Sequence, residues 1–163
     1  MFNKNKIALV AAVGVMAGFS GAANAAQGTA SATATILSPI TVTKTADLAF
    51  GKIIAGASSG TVTISAAGSL TCAAALTCSG TTAAAAFDVS GSSSEIVTIT
   101  PDSSVTLTSG ANSMSASLNA SAATLTLNGS GAGSFTVGGV LTVGASQAAG
   151  SYSGNFNVTV NYQ

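Results

Sequence analysis

From about residue 29 onward the chain repeats one simple pattern: an apolar residue, a small polar residue, then another apolar residue. Val62 and Ile64 alternate with Thr61 and Thr63, Val105 and Leu107 with Thr106 and Thr108, and Leu125 and Leu127 with Thr124 and Thr126. A period of two sends successive side chains to opposite faces of a strand. After Ala26 no run repeats at helical spacing with capping residues at its ends. The alternation therefore confines the chain to an all-β fold in which each strand buries one face.

The same reading extends along the chain. Ala30, Ala32, Ala34 and Ile36 alternate with Thr and Ser, Pro39 interrupts, and Ile40 and Val42 resume. Leu48 and Phe50 precede Gly51. Phe87 and Val89 begin another strand, and residues 96–100 form one before the Pro101-Asp102 turn. Phe135, Val137, Leu141 and Val143 share one parity, with Gly138-Gly139 between them as a bend or bulge. The closing stretch GSYSGNFNVTVNYQ carries Gly, Tyr, Phe or Val at every even position from Gly150, which predicts a strand from about 151 to 162. Many short strands with frequent turn signals predict an antiparallel β-sandwich, with a small barrel as the alternative. There is no internal repeat of fixed period to suggest a solenoid.

Composition narrows the function. Charged residues make up 5% of the chain, against about 25% in an average globular protein. Net charge is zero, so Ser, Thr and Asn solvate the surface, and the core is built from small residues. The chain has no His, hence no imidazole base and no His metal ligand. It has no Arg, hence no bidentate clamp for phosphate or carboxylate. The basic residues are Lys4, Lys6, Lys44 and Lys52, too few to neutralise a nucleic-acid backbone.

Lys4 and Lys6 precede an apolar run, IALVAAVGVMAGF, that is too short to span a bilayer. Ala23-Asn24-Ala25 then supplies a small-x-small site. The pattern predicts a secretory signal peptide over 1–25, cut between Ala25 and Ala26, and no membrane span in the mature chain. Cys72 and Cys78 bracket five residues. In an exported chain they predict a disulfide worth roughly 2 kcal/mol. Two Cys without His or further Cys do not complete a zinc site, so neither metal nor cofactor is expected.

GASSG at 56–60 matches the nucleophile-elbow pattern but lacks a His base and a following helix, so it reads as a hairpin turn. GSGAG at 129–133 lacks the Lys and helix of a phosphate loop and reads as a strand connection. Asp47, Asp88, Glu95 and Asp102 fall at strand ends or turns and do not cluster as calcium ligands or as a glycosidase pair. No catalytic residue is expected. Three Asn-x-Ser/Thr sequons carry little information in a chain so rich in Ser and Thr.

The closing stretch resembles the C-terminal signature of pilus (fimbrial) subunits assembled by the chaperone–usher pathway. Tyr162 is penultimate, Val160, Val158 and Phe156 alternate before it, and Gly150 is fourteenth from the end. The wider chain is similar to small exported bacterial domains catalogued only as a domain of unknown function. PITVTKTADLAFG at 39–51, VGA at 143–145, Gln147 and YSG at 152–154 carry that likeness, which implies no established activity.

The pilin resemblance implies an immunoglobulin-like, Greek-key sandwich in which one strand is lacking or self-supplied. The gap would leave an apolar groove beside the last strand, filled first by a periplasmic chaperone and then by the N-terminal extension of the next subunit, through strand addition. Gly150, Phe156, Val158, Val160 and Tyr162 would be the recognition strand. Residues 26–38 would be an N-terminal extension, with Ala30, Ala32, Ala34 and Ile36 as the donor face, and residues 39–163 the sandwich. Pilin donors usually present bulkier groups than Ala, and the same segment also reads as the first strand of the protein's own sheet. The expected function is a structural, non-enzymatic subunit of a cell-surface fibre, with an outer-membrane usher and neighbouring subunits as further partners. The alternative is a self-complete secreted sandwich that binds carbohydrate or matrix. Having only two Tyr and no Trp to stack on sugars weakens that alternative.

Overall fold

The computed structural model describes residues 25–163, divided between a first unit that ends at Ala34 and a second, compact one, Thr35–Gln163. The predicted signal peptide, residues 1–25, lies outside the described residues except for Ala25. In the first unit, residues 25–34 are exposed and carry no strand. In the second, strand structure begins only at Thr41, and Ile36 is 96% exposed. The alternation at Ala30, Ala32, Ala34 and Ile36 therefore forms no first strand. Three of its four apolar side chains are Ala, and a methyl group offers little area to bury.

The second unit is all-β, and every strand pairing is antiparallel. Its strands are β1 (Thr41–Ala46), β2 (Lys52–Ile54), β3 (Gly60–Ile64), β4 (Leu70–Cys72), β5 (Thr77–Ser79) and β6 (Ala85–Ser90). They continue as β7 (Ile96–Pro101), β8 (Ser104–Ser109), β9 (Asn112–Ala120), β10 (Thr124–Thr126), β11 (Ala132–Val143) and β12 (Val158–Tyr162). Strands distant in sequence lie side by side, as Greek-key connections require: β6 and β3 both pair with β11, and β7 lies between β10 and β12.

β11 organises the molecule. Its first half, residues 132–137, pairs with β6, while residues 137–142 pair with β9 and residues 139–143 with β3. The change of partner falls at Gly138-Gly139, the expected bend. A Cβ on Gly138 would lie 2.3 Å from the Ile64 carbonyl oxygen and 2.6 Å from the Ala66 nitrogen, so only glycine lets β3 turn away there.

Two cores follow from this division. In the first, the β1-β6-β11 layer faces the β10-β7-β12 sheet over Phe87, Val89, Phe135 and Val137 from one side and Val97 and Ile99 from the other. Phe87 and Phe135 stack with ring centroids 5.1 Å apart. In the second, β8, β9, β3 and the later half of β11 present Val105, Ala116, Val62, Ile64, Leu141 and Val143. Phe50, Leu76 and the short β2–β5 pair cover them, with Leu48, Ala73 and Phe156 packed at the margin. The predicted disulfide, Cys72–Cys78, spans Cα atoms 6.1 Å apart. It joins β4, on the edge of the large sheet, to β5 of the two-stranded cover.

Candidate functional site

β12 is an edge strand. Asp102 N donates to Asn157 O at 2.9 Å and Gln163 N donates to Ile96 O at 3.0 Å, which fixes the phase of the ladder. Thr159 and Asn161 therefore turn their main-chain groups toward β7, and Val158, Val160 and Tyr162 turn theirs away. Among the described residues no strand takes that outer side. The same three residues send half-buried side chains into the first core.

β1 behaves alike on the opposing sheet. Gly91 N donates to Gly131 O, which places odd residues of β6 against β11 and even ones against β1. By register, Thr41 and Thr43 face β6, and the main-chain groups of Val42 and Lys44 point off the sheet. Val42 and Ile40 pack on the same core as β12. Where the two edges meet, the Tyr162 hydroxyl donates to Ser38 O at 2.7 Å and accepts from Ser92 N at 2.6 Å. Ser38 N in turn donates to Ser92 Oγ at 2.7 Å. One phenol thus fastens the lead into β1, the β6–β7 connection and the end of β12.

The predicted last strand is shorter than expected. Pairing with β7 covers only Val158–Tyr162, and upstream Ser153 forms an isolated bridge with Thr108 of β8. The chain passes from one half of the sandwich to the other between these points. At Gly154 a Cβ would lie 2.3 Å from the Thr106 carbonyl oxygen, a close approach that suits a crossing rather than a ladder. Asp102 receives the strand's start, its Oδ2 accepting from Asn157 N at 2.7 Å. Phe156 sits at the crossing, packs on both cores and meets Phe87 edge-on at 6.4 Å. Gly150, expected to join Phe156, Val158, Val160 and Tyr162 in one strand, lies instead in the other half, beside Ser109 Oγ.

That other half holds a feature the alternating pattern does not announce: a groove of about 1030 Å³. Leu107, Met114, Leu141 and Val143 line it from the sheet, and Phe50, Lys52 and Ile53 line it from the cover. Residues 147–152 complete it, held by their own polar contacts. The Tyr152 hydroxyl donates to Ala148 O at 2.8 Å and accepts from Gln147 Nε2 at 2.9 Å. β9, which supplies Met114, escapes the sequence analysis although Met114, Ala116 and Leu118 alternate with Ser115 and Ser117. The small Ala116 at the centre, between two serines, mutes the signal.

The remaining motifs take their plainer readings. GASSG at 56–60 connects β2 to β3, with no helix after it. Asn128 Oδ1 accepts from Ser130 N, Ser130 Oγ and Ala132 N, so GSGAG at 129–133 is a turn stitched by Asn128. Asp47 pairs with Lys44. Among the described residues no three His, Cys, Asp or Glu gather as a metal set, and no helix is long and apolar enough to cross a membrane.

Residues 40–162 match the family model described as "Domain of unknown function (DUF4402)". The chain belongs to the DUF4402 family. The match starts at Ile40, so the DUF4402 domain takes in both edge strands, the disulfide, the groove and Tyr162, and leaves residues 25–39 outside. No curated protein and no solved structure matches the chain.

Proposed function

We propose that this DUF4402 protein is a structural, non-enzymatic subunit of a bacterial surface fibre, built by β-strand addition. The observation that carries this reading is the outer side of β12. Val158, Val160 and Tyr162 direct main-chain donors and acceptors off the sheet while their side chains line the core. An added strand would find both of its requirements there, a hydrogen-bonding ladder and an apolar face. An uncovered edge of this kind is otherwise an aggregation hazard.

Residues 27–36 are the donor in this reading, reaching a neighbouring copy with Ala30, Ala32, Ala34 and Ile36 inward. Their exposure and lack of strand structure support the role. A periplasmic chaperone would shield β12 before an outer-membrane usher passes the subunit on. The protein would then reside at the cell surface, after export through the periplasm and removal of residues 1–25.

Sheared cell-surface material, run in detergent with and without boiling, tests this. The expected result is a ladder of oligomers that collapses to monomer only on boiling, and that disappears when residues 27–36 are deleted. A monomer before and after deletion, with unchanged unfolding, would sink the proposal.

A further inference from the structure

The described residues contain two cations, Lys44 and Lys52. Lys44 is taken by Asp47. Lys52 has no carboxylate partner among the described residues, and it lies at the groove, its stem running beside Gly80. The other long polar side chains of the lining are committed to each other. Gln147 Nε2 donates to the Tyr152 hydroxyl and, at 3.3 Å, to Ser113 O, while that hydroxyl donates to Ala148 O. The groove is therefore aliphatic along its sheet side, with one uncommitted positive charge on the cover.

We propose that this groove binds a single-chain anionic amphiphile of the long-chain carboxylate type. The alkyl chain lies along the half-buried Leu48, Ile53, Leu107 and Met114, with Leu141 and Val143 as the closed floor beneath, and the head group sits at Lys52. The volume, about 1030 Å³, is at the upper end of what small-molecule pockets span. Met114 supplies an adaptable thioether contact that suits a flexible chain. The site stands in the half of the sandwich opposite the β12 edge, so it holds whether or not that edge receives a strand.

Calorimetric titration of the purified protein with laurate, below its micellar concentration, is the test. Laurate is expected to bind at a single site, and decanoate roughly fifteen-fold more weakly for its two missing methylenes. Lys52→Gln is expected to weaken laurate roughly two- to five-fold, as for an exposed ion pair, while leaving 1-dodecanol unchanged. Equal affinity for laurate and dodecyltrimethylammonium would overturn the proposal. So would an absence of laurate binding to the folded protein, or binding of a peptide of residues 27–36 where laurate fails.

Discussion

The two halves of the sandwich solve the same problem with different means. Around Phe87 and Phe135 the chain brings a second three-stranded sheet, β10-β7-β12, over the first, and the core closes on stacked aromatic rings. Around Leu141 and Val143 it brings no second sheet of that width, but Phe50, Leu76, a few loop residues and a pair of three-residue strands, β2 and β5. That cover is tied down by the Cys72–Cys78 disulfide and leaves a groove. A sheet face needs a second layer of comparable width to become a closed core. Where the layer is narrow, a covalent bond substitutes for missing packing, and apolar surface stays accessible.

The difference predicts unequal costs for equal deletions. Phe135, 4% exposed in the closed half, should lose about 3–5 kcal/mol as Phe135→Ala, read from the urea midpoint. Met114→Ala at the groove should cost about 1 kcal/mol, because its side chain already faces open space. Equal losses at the two sites would break the comparison. Gly138→Ala, at the hinge between the halves, should cost about 2–3 kcal/mol, since its Cβ meets backbone atoms of Ile64 and Ala66. Paired Cys72→Ser and Cys78→Ser should cost about 2 kcal/mol. Their signature is local: faster amide exchange in β2 and β5, with β6 and β7 unchanged. Uniform acceleration would mean that the bond supports the whole sandwich rather than its narrow cover.

The strands of the closed half were legible because their inward residues are large. Val89, Ile99 and Phe135 each stand between polar neighbours, Phe87, Val97 and Val137 continue their parity, and all six are buried. The open half was harder to read. β2, β4 and β5 have three residues each, too short to display a period, and β9 buries Ala116 among serines. Local patterning also could not say where the chain changes sheets. Tyr152 and Phe156 share a parity with Val158, yet Ser153 bridges to β8 while Val158 pairs with β7. Parity fixes which face a side chain takes, not which neighbour its backbone meets. The groove follows from such tertiary choices, and no run of residues encodes it alone.

Tyr162 offers the smallest and most local test of the comparison. Its ring packs on the closed core, and its hydroxyl links Ser38 to Ser92 across the junction of the two open edges. Tyr162→Phe keeps the ring and removes one donor and one acceptor role, both at a partly solvated position. Water can replace part of what is lost, so the expected cost is about 1 kcal/mol. The loss should appear at the edges: exchange should accelerate in residues 38–42 and 158–162, while the groove's affinity for laurate stays the same. If laurate binding falls with this variant, the two halves are coupled through Phe156, the residue packed on both cores, and the closed half then controls the open one.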